Sequence, residues 1–317
     1  TTLMHLEWQG KKFNVLDCPG YADFISEALG ALRVSDQAVV VVHANHGPGV
    51  GTDTVWKSAT ANGIPKVIVV NAFDREETHF DATLAQLREH FGERVLPLTL
   101  PVNAGPGFNQ LLDVLRQKVM TYAGDKSGKY TEAPPAGALA EKASQLHNQL
   151  VEYVAESDDA LMEKFFAEGG LSEAEMRAGL HAAFQKQVFT PLFCTAAENN
   201  VGVAQFMDFL AQYGASPADR PAVEAADADG NPVPVKLTDP EPVLYIFKTM
   251  SEAQFGELSF FRVYAGAVKF GSEVYNADRR STEKIGQIYQ LNGKTRTSVP
   301  ALVAGDIGAV VKLKDTH

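Results

Sequence analysis

The stretch KVIVVNAFD, Lys66–Asp74, sets four consecutive β-branched apolar residues before a turn that holds an asparagine and an aspartate. A strand with one face in water alternates apolar and polar residues, so an unbroken run marks a strand covered on both faces, as in a parallel sheet. KKFNVLD (Lys11–Asp17), QAVVVVH (Gln37–His43) and PLFCT (Pro191–Thr195) read the same way. In chain order, the first three of these four runs are separated by helical segments beginning near Asp23 and Thr52. That is βαβαβ and a parallel sheet, an α/β domain. Such sheets bind ligands at the carboxyl ends of their strands, here Asp17, His43, Asn71 and Thr195.

Asn71 and Pro191 lie 120 positions apart, far more than one crossover needs. After a helix near Ala82–Phe91 comes a separate, mostly helical block, Pro101 to Lys186, expected as a subdomain inserted into the α/β domain. Within it LSEAEMRAGLHAAF reads as an amphipathic helix with Ser172 and Glu175 at capping-box spacing. The Pro-, Ala- and Asp-rich segment from Ala215 to Pro242 has no sustained period and reads as a linker. Beyond it VLYIFKTM, GELSFFRVYAG, EVYNA and IGAVVKL are β-rich runs between Gly, Asn and Asp turns, the pattern of a small antiparallel barrel. The expected boundaries are 1–100 and 187–218 for the α/β domain, 101–186 for the insertion, 219–240 for the linker and 241–317 for the barrel.

The 317 residues, 45% of them apolar, can build two cores. No run approaches the roughly 18–20 apolar residues of a bilayer span, and no signal-peptide layout opens the chain, so a cytoplasmic location is expected. Cys18 and Cys194 suggest free buried thiols, not a disulfide framework or a zinc site. The net charge of −11 argues against coating nucleic acid by electrostatics. Residues 241–317 hold ten Lys and Arg against eight Asp and Glu, or +2, leaving 18 minus 31, or −13, for residues 1–240. The C-terminal segment is therefore the better suited to a phosphate backbone.

DCPG, Asp17–Gly20, places a carboxylate at a strand end with a glycine three positions on. In phosphate chemistry such a carboxylate reaches Mg2+ through water, and a glycine without Cβ lets its N–H approach a terminal phosphate. The alternative use of Asp17 is to cap the following helix. NAFD, Asn71–Asp74, can hold a loop through Asn71 while the Asp74 carboxylate accepts two hydrogen bonds from the N–H edge of guanine, each worth about 1.5–3 kcal/mol. Adenine lacks that donor pair and leaves the carboxylate unpaired. Asn and Asp after a strand are also ordinary turn residues. The conjunction of the two motifs with the small-residue loop TAAEN, Thr195–Asn199, in this strand order points to a guanine nucleotide. His43 and His46 are three apart in VVHANHGPGV, without a third ligand at suitable spacing, and the glycines that follow read as a turn.

FNVLDCPGYADF resembles the switch II segment D-T-P-G-H-x-D-F of elongation factor G, a translational GTPase, and GTDTVWKSATANGIPKVIVVNAFD resembles the stretch that ends in N-K-M-D. YGASPADRPAV is similar to that family's exit from the GTPase domain, and FGELSFFRVYAGAVKFGSEVYNA with ALVAGDIGAVVKLKDT to its second domain. The resemblance runs over nearly the whole chain. It implies a truncated GTPase-type parallel sheet with a helical insertion subdomain, followed by an antiparallel translation-factor β-barrel. It further implies GTP or GDP with Mg2+ as cofactors, Asp17 in the magnesium shell, Pro19 and Gly20 at the terminal phosphate, Asn71 and Asp74 at the base, and the Ala197 N–H at the guanine oxygen. The implied partners are ribosomal RNA and proteins, engaged by a monomer, with no membrane or DNA partner. Arg279, Arg280, Lys294 and Arg296 would face either ribosomal RNA or solvent.

No G-x-x-x-x-G-K-[ST] occurs in the chain, so the phosphate loop is missing, the sequence reads as an internal fragment, and no nucleotide is expected bound to it alone. Tyr21 stands where the family has a histidine that orients the attacking water, Ala72 stands where it has the lysine over the guanine ring, and Ala196 and Ala197 align with its serine and alanine. A phenol does not exchange its proton near neutrality as imidazole does, and a lost general base costs on the order of 10²–10⁴ in rate. The expected function is ribosome binding with GTP and promotion of translocation. The alternatives are a ribosome-binding paralogue that does not use hydrolysis, or a ribosome-protection or release-factor GTPase.

Overall fold

The computed structural model describes residues 1–316 except 228 and 253–255. Phe255, the first residue of the quoted barrel motif, lies outside the described residues. The chain divides into two compact units, Thr1–Asp36 with Ser216–His317, and Gln37–Ala215.

The first unit begins with β1 (Thr2–Trp8) and β2 (Lys11–Asp17), an antiparallel hairpin in which Thr2 lies opposite Asp17. Gln9 and Gly10 between them both have positive φ, 48° and 72°, as a type I′ turn requires. A short turn, Ala22–Phe24, leads into α1 (Ile25–Arg33). FNVLD is expected in the parallel sheet, but among the described residues β2 hydrogen-bonds to β1 alone. The apolar run FNVL marks a strand without naming its neighbour, and the adjacent antiparallel strand takes the ladder.

The second unit runs through β3 (Ala38–His43), α2 (Val50–Ala61), β4 (Lys66–Asn71), α3 (Phe80–Phe91) and β5 (Val95–Pro97). The chain then makes β6 (Thr99–Pro101), β7 (Gln110–Asp113), β8 (Lys118–Tyr122) and β9 (Tyr130–Ala133). It continues with α4 (Ala138–Ala155), α5 (Asp159–Glu168) and α6 (Glu173–Gln185), and returns through β10 (Thr190–Cys194) to α7 (Val203–Tyr213). The parallel sheet has the order β3-β4-β10-β5. With a strand on each side and both faces covered, β4 is buried from Lys66 to Val70, as its unbroken β-branched run implies. Ser172 and Glu175 form the expected capping box on α6.

The inserted block is not helical throughout. β6, β7, β8 and β9 form an antiparallel sheet in chain order, with Leu111, Met120 and Tyr122 in the same core as Val70, Phe73 and Cys194. These strands are three to five residues long, too short for a period of two to stand out from the helical patterns around them.

Lys66 lies at the opposite end of β4 from Asn71 and is only 6% exposed. Its Nζ donates to the Ile64 carbonyl at 3.3 Å and to Gln187 Oε1, and sits 5.2 Å from the centre of the Trp56 ring. No described carboxylate pairs with it, and burial lowers the amine to about 8.

The remainder of the first unit starts with a hairpin of β11 (Val223–Ala226) and β12 (Pro232–Val235) inside the expected linker. In a two-stranded hairpin each strand has a free edge, so prolines are tolerated there. Next come β13 (Val243–Glu252), β14 (Gly256–Ala265), β15 (Ala267–Lys269), β16 (Glu273–Asn276) and β17 (Ser281–Lys284). β18 (Ile288–Asn292), β19 (Thr295–Val299), β20 (Ala301–Val303) and β21 (Ile307–Val311) complete the strands. The order β13-β14-β21-β18-β19, with the pairs β15-β20 and β16-β17, is the expected antiparallel barrel-type domain. Its core holds Phe261, Val263, Ile288 and Val310, and a second cluster packs Leu3 of β1 against Leu258, Phe260 and Ile307. Arg262, 2% exposed, donates from Nη1 to the Val34 carbonyl and from Nη2 to Asp36 Oδ1, both at 2.7 Å. Lys248 pairs with Glu27 of α1 at 2.6 Å and holds that carboxyl well below its ordinary range. No described helix is long and apolar enough to cross a membrane.

Candidate guanine-nucleotide site

Asn71 closes β4 beside His43 of β3, and its backbone carbonyl accepts the Ala44 N–H at 2.9 Å. Its side-chain Oδ1 accepts the Thr195 hydroxyl and the Ala197 N–H, each at 2.9 Å. One carbonyl oxygen thus ties the loop after β4 to the loop after β10. The Phe73 N–H adds a bond to the Thr195 carbonyl at 3.2 Å, while the Phe73 ring is fully buried against Phe80 and Phe108. Between these anchors Ala72 takes a left-handed conformation with φ 72°. That conformation costs a non-glycine residue roughly 1–2 kcal/mol, and the fixed points on both sides hold it there.

Asp74 follows, half-buried at the mouth of the two loops. Its Oδ2 accepts a hydrogen bond from Asn199 Nδ2 at 2.8 Å. Its Oδ1 has no partner among the described residues. Arg75 turns to Glu198 at 2.9 Å, both side chains more than half exposed, so that pair contributes little. The structure therefore brings Asn71, Asp74 and Ala197 together, with Thr195, at the carboxyl ends of β4 and β10. The Ala197 N–H, expected to face a guanine oxygen, is directed at Asn71 Oδ1. Asn199 is not singled out by the sequence. It lies 125 residues from Asp74, and only the pairing of β4 with β10 makes them neighbours.

Asp17, Pro19, Gly20 and Tyr21 belong to the first unit. Asp17 ends β2 opposite Thr2, exposed, and its carboxylate takes no hydrogen bond from the described residues. It does not cap the following helix: the turn starts at Tyr21, and neither that turn nor α1 has a side-chain cap. A Cβ at Gly20 would meet nothing within 4 Å, so no contact within the chain requires a glycine there. Tyr21 is 79% exposed, its ring resting on no core. The His43 and His46 rings lie 4.7 Å apart, and His43 Nδ1 faces the Asn45 N–H at 3.2 Å. No group of three metal-ligating side chains occurs among the described residues.

The donor set suits the base of a guanine nucleotide better than its phosphates. An ordered carboxylate with a vacant oxygen matches two adjacent N–H donors, whereas the chain contains no glycine-rich loop ending in Gly-Lys-Ser/Thr. A family model described as the elongation factor Tu GTP binding domain matches residues 1–216, and one described as elongation factor G domain 2 matches residues 242–317. Among solved structures, the chain is similar to a crystal structure of a protein from Thermus thermophilus, with 26% sequence identity and a TM-score of 0.84. That match covers 100% of this chain and 44% of the other, so the chain spans less than half the length of that relative. On the match of both family models and the order of its domains, the chain belongs to the elongation factor G family of translational GTPases.

Proposed function

We propose that the protein binds the ribosome and a guanine nucleotide in the cytoplasm and promotes translocation. The observation that carries the nucleotide half of this reading is the Asn71 clamp, which unites the two loops and leaves Asp74 Oδ1 open. Asp74 then accepts the two N–H donors of guanine, and the Ala197 N–H turns from Asn71 to the guanine oxygen. Asp17 holds Mg2+ through water, Pro19 shapes the turn, and the Gly20 N–H faces the terminal phosphate. Mg2+ neutralises charge on the phosphate oxygens when bound. Without a phosphate loop the 317-residue chain binds GTP and GDP very weakly. A fluorescent GDP analogue titrating onto it with micromolar affinity overturns that expectation.

A second reading, a ribosome-binding factor with little or no hydrolysis, is favoured by Tyr21. The phenol is exposed, and it stands where the family has the histidine that orients the attacking water. The deciding experiment is single-turnover GTP hydrolysis on ribosomes by the longest natural polypeptide that contains this sequence, beside its Tyr21→His variant. Slow hydrolysis that the histidine accelerates by about 10²-fold or more supports impaired catalysis. A wild-type rate equal to that of an ordinary family member removes it.

A further inference from the structure

The side chain that orients Asp74 comes from the other loop. Thr195 directs its hydroxyl to Asn71, and Ala196 and Ala197 carry only methyl groups, so none of them can donate a side-chain hydrogen to the carboxylate. Asn199 does, at 2.8 Å. Its backbone is fixed, because its N–H donates to the Ala196 carbonyl at 3.0 Å and the next residue, Asn200, turns the chain with φ 55°. Arg75, the neighbouring cation, is engaged by Glu198 and does not take the Asp74 oxygens.

We propose that Asn199 is a specificity-determining positioning residue, whose amide locks the Asp74 carboxylate in the plane that accepts the N1–H and 2-amino donors of guanine. A carboxylate offers about four lone-pair sites, and the Asn199 bond uses one. The bond to Oδ2 stops rotation of the carboxylate about its own axis and leaves Oδ1 and the second lone pair of Oδ2 for the base. Without it the carboxylate swings freely, and the gain from a second donor on the base is averaged away. This inference rests on the reading of Asp74 as the base contact.

The test is saturation-transfer NMR of the 317-residue chain with GMP and IMP at millimolar concentration. The two nucleotides differ only in the 2-amino group, and neither needs a phosphate loop for the comparison. The wild type is expected to prefer GMP. Asn199→Ala removes the donor and should reduce that preference by about tenfold, the worth of one hydrogen bond to a charged group. Asn199→Asp, of nearly the same volume, sets a second carboxylate beside Asp74 and should reduce it at least as far. Thermal unfolding in parallel identifies a variant that has lost the loop's fold, in which case the other carries the comparison. A GMP preference that survives in the folded variants overturns the inference and leaves the Asp74 reading standing. A wild-type chain that binds GMP and IMP alike overturns both.

Discussion

Replacing Lys66 with methionine should stabilise the second unit near neutral pH and lose that advantage in alkali. The lysine is 6% exposed, and burial lowers its amine from 10.5 to about 8. That difference disfavours the ammonium by about 3 kcal/mol relative to the neutral amine inside the fold. Below pH 8 both folded and unfolded chains carry the proton, so the whole penalty is present. Between pH 8 and 10.5 the unfolded chain binds more protons than the folded one, so stability rises with pH. Methionine fills the same volume and removes the penalty. It also forfeits the bonds to the Ile64 carbonyl and Gln187, at about 1 kcal/mol each, and the cation–π contact with Trp56, at about 0.5–1 kcal/mol. The net gain at pH 7 is therefore small, about 1 kcal/mol or less, and the pH slope of the difference is the decisive quantity. The chain has two tryptophans, Trp8 and Trp56, so urea unfolding followed by fluorescence in a Trp8→Phe background reports on Trp56 and its own unit. Wild type should gain on Lys66→Met by roughly 2–3 kcal/mol from pH 7 to pH 10. A difference constant across that range refutes the reasoning.

Asp113 is 5% exposed, and burial pushes its carboxyl up to about 6. Asp113→Asn keeps an oxygen for the Arg116 N–H, now bonded at 2.9 Å, and should stabilise the unit by about 1–2 kcal/mol at pH 7. The gain should shrink as pH falls through about 6 towards about 4, where the wild-type carboxyl takes up its proton first in the folded state; denaturant titrations at both ends check it. Gly202 has φ 79°, and a Cβ there would lie 2.3 Å from the Cys194 carbonyl and 2.9 Å from Leu111. Gly202→Ala should therefore cost about 3 kcal/mol or more in thermal or urea unfolding. Arg262→Met leaves the Val34 carbonyl without its buried donor and the Asp36 carboxylate with Arg220 alone, at 3.6 Å, and should destabilise the first unit by about 3 kcal/mol. Trp8 fluorescence in a Trp56→Phe background follows that loss.

The grouping of Asn71, Asp74 and Ala197 in the candidate site is legible because these residues lie at or just beyond the ends of strands whose runs are unambiguous. KVIVVN is buried almost throughout, and the asparagine at its end is the residue that binds the two loops. The capping box at Ser172 could be read because its signal spans four positions. Pairing partners were harder. Nothing in FNVLD says that its ladder lies with TLMHLEW, and nothing in AEN says that its last side chain meets an aspartate 125 residues away. Both depend on which strands become neighbours, a property of the whole sheet. The sheet of β6 to β9 escaped for another reason: a four-residue strand gives two inward residues, and two points do not define a period.

The guanidinium of Arg262 has a mechanical meaning. It rises from β14 and grips both the Val34 carbonyl and the Asp36 carboxylate just beyond α1. Lys248 of β13 holds the same helix at Glu27. The segment that follows Asp17 is thus moored to the barrel at two points, one on α1 and one just beyond its end, so α1 cannot shift along its axis without breaking a charged contact to β13 or β14.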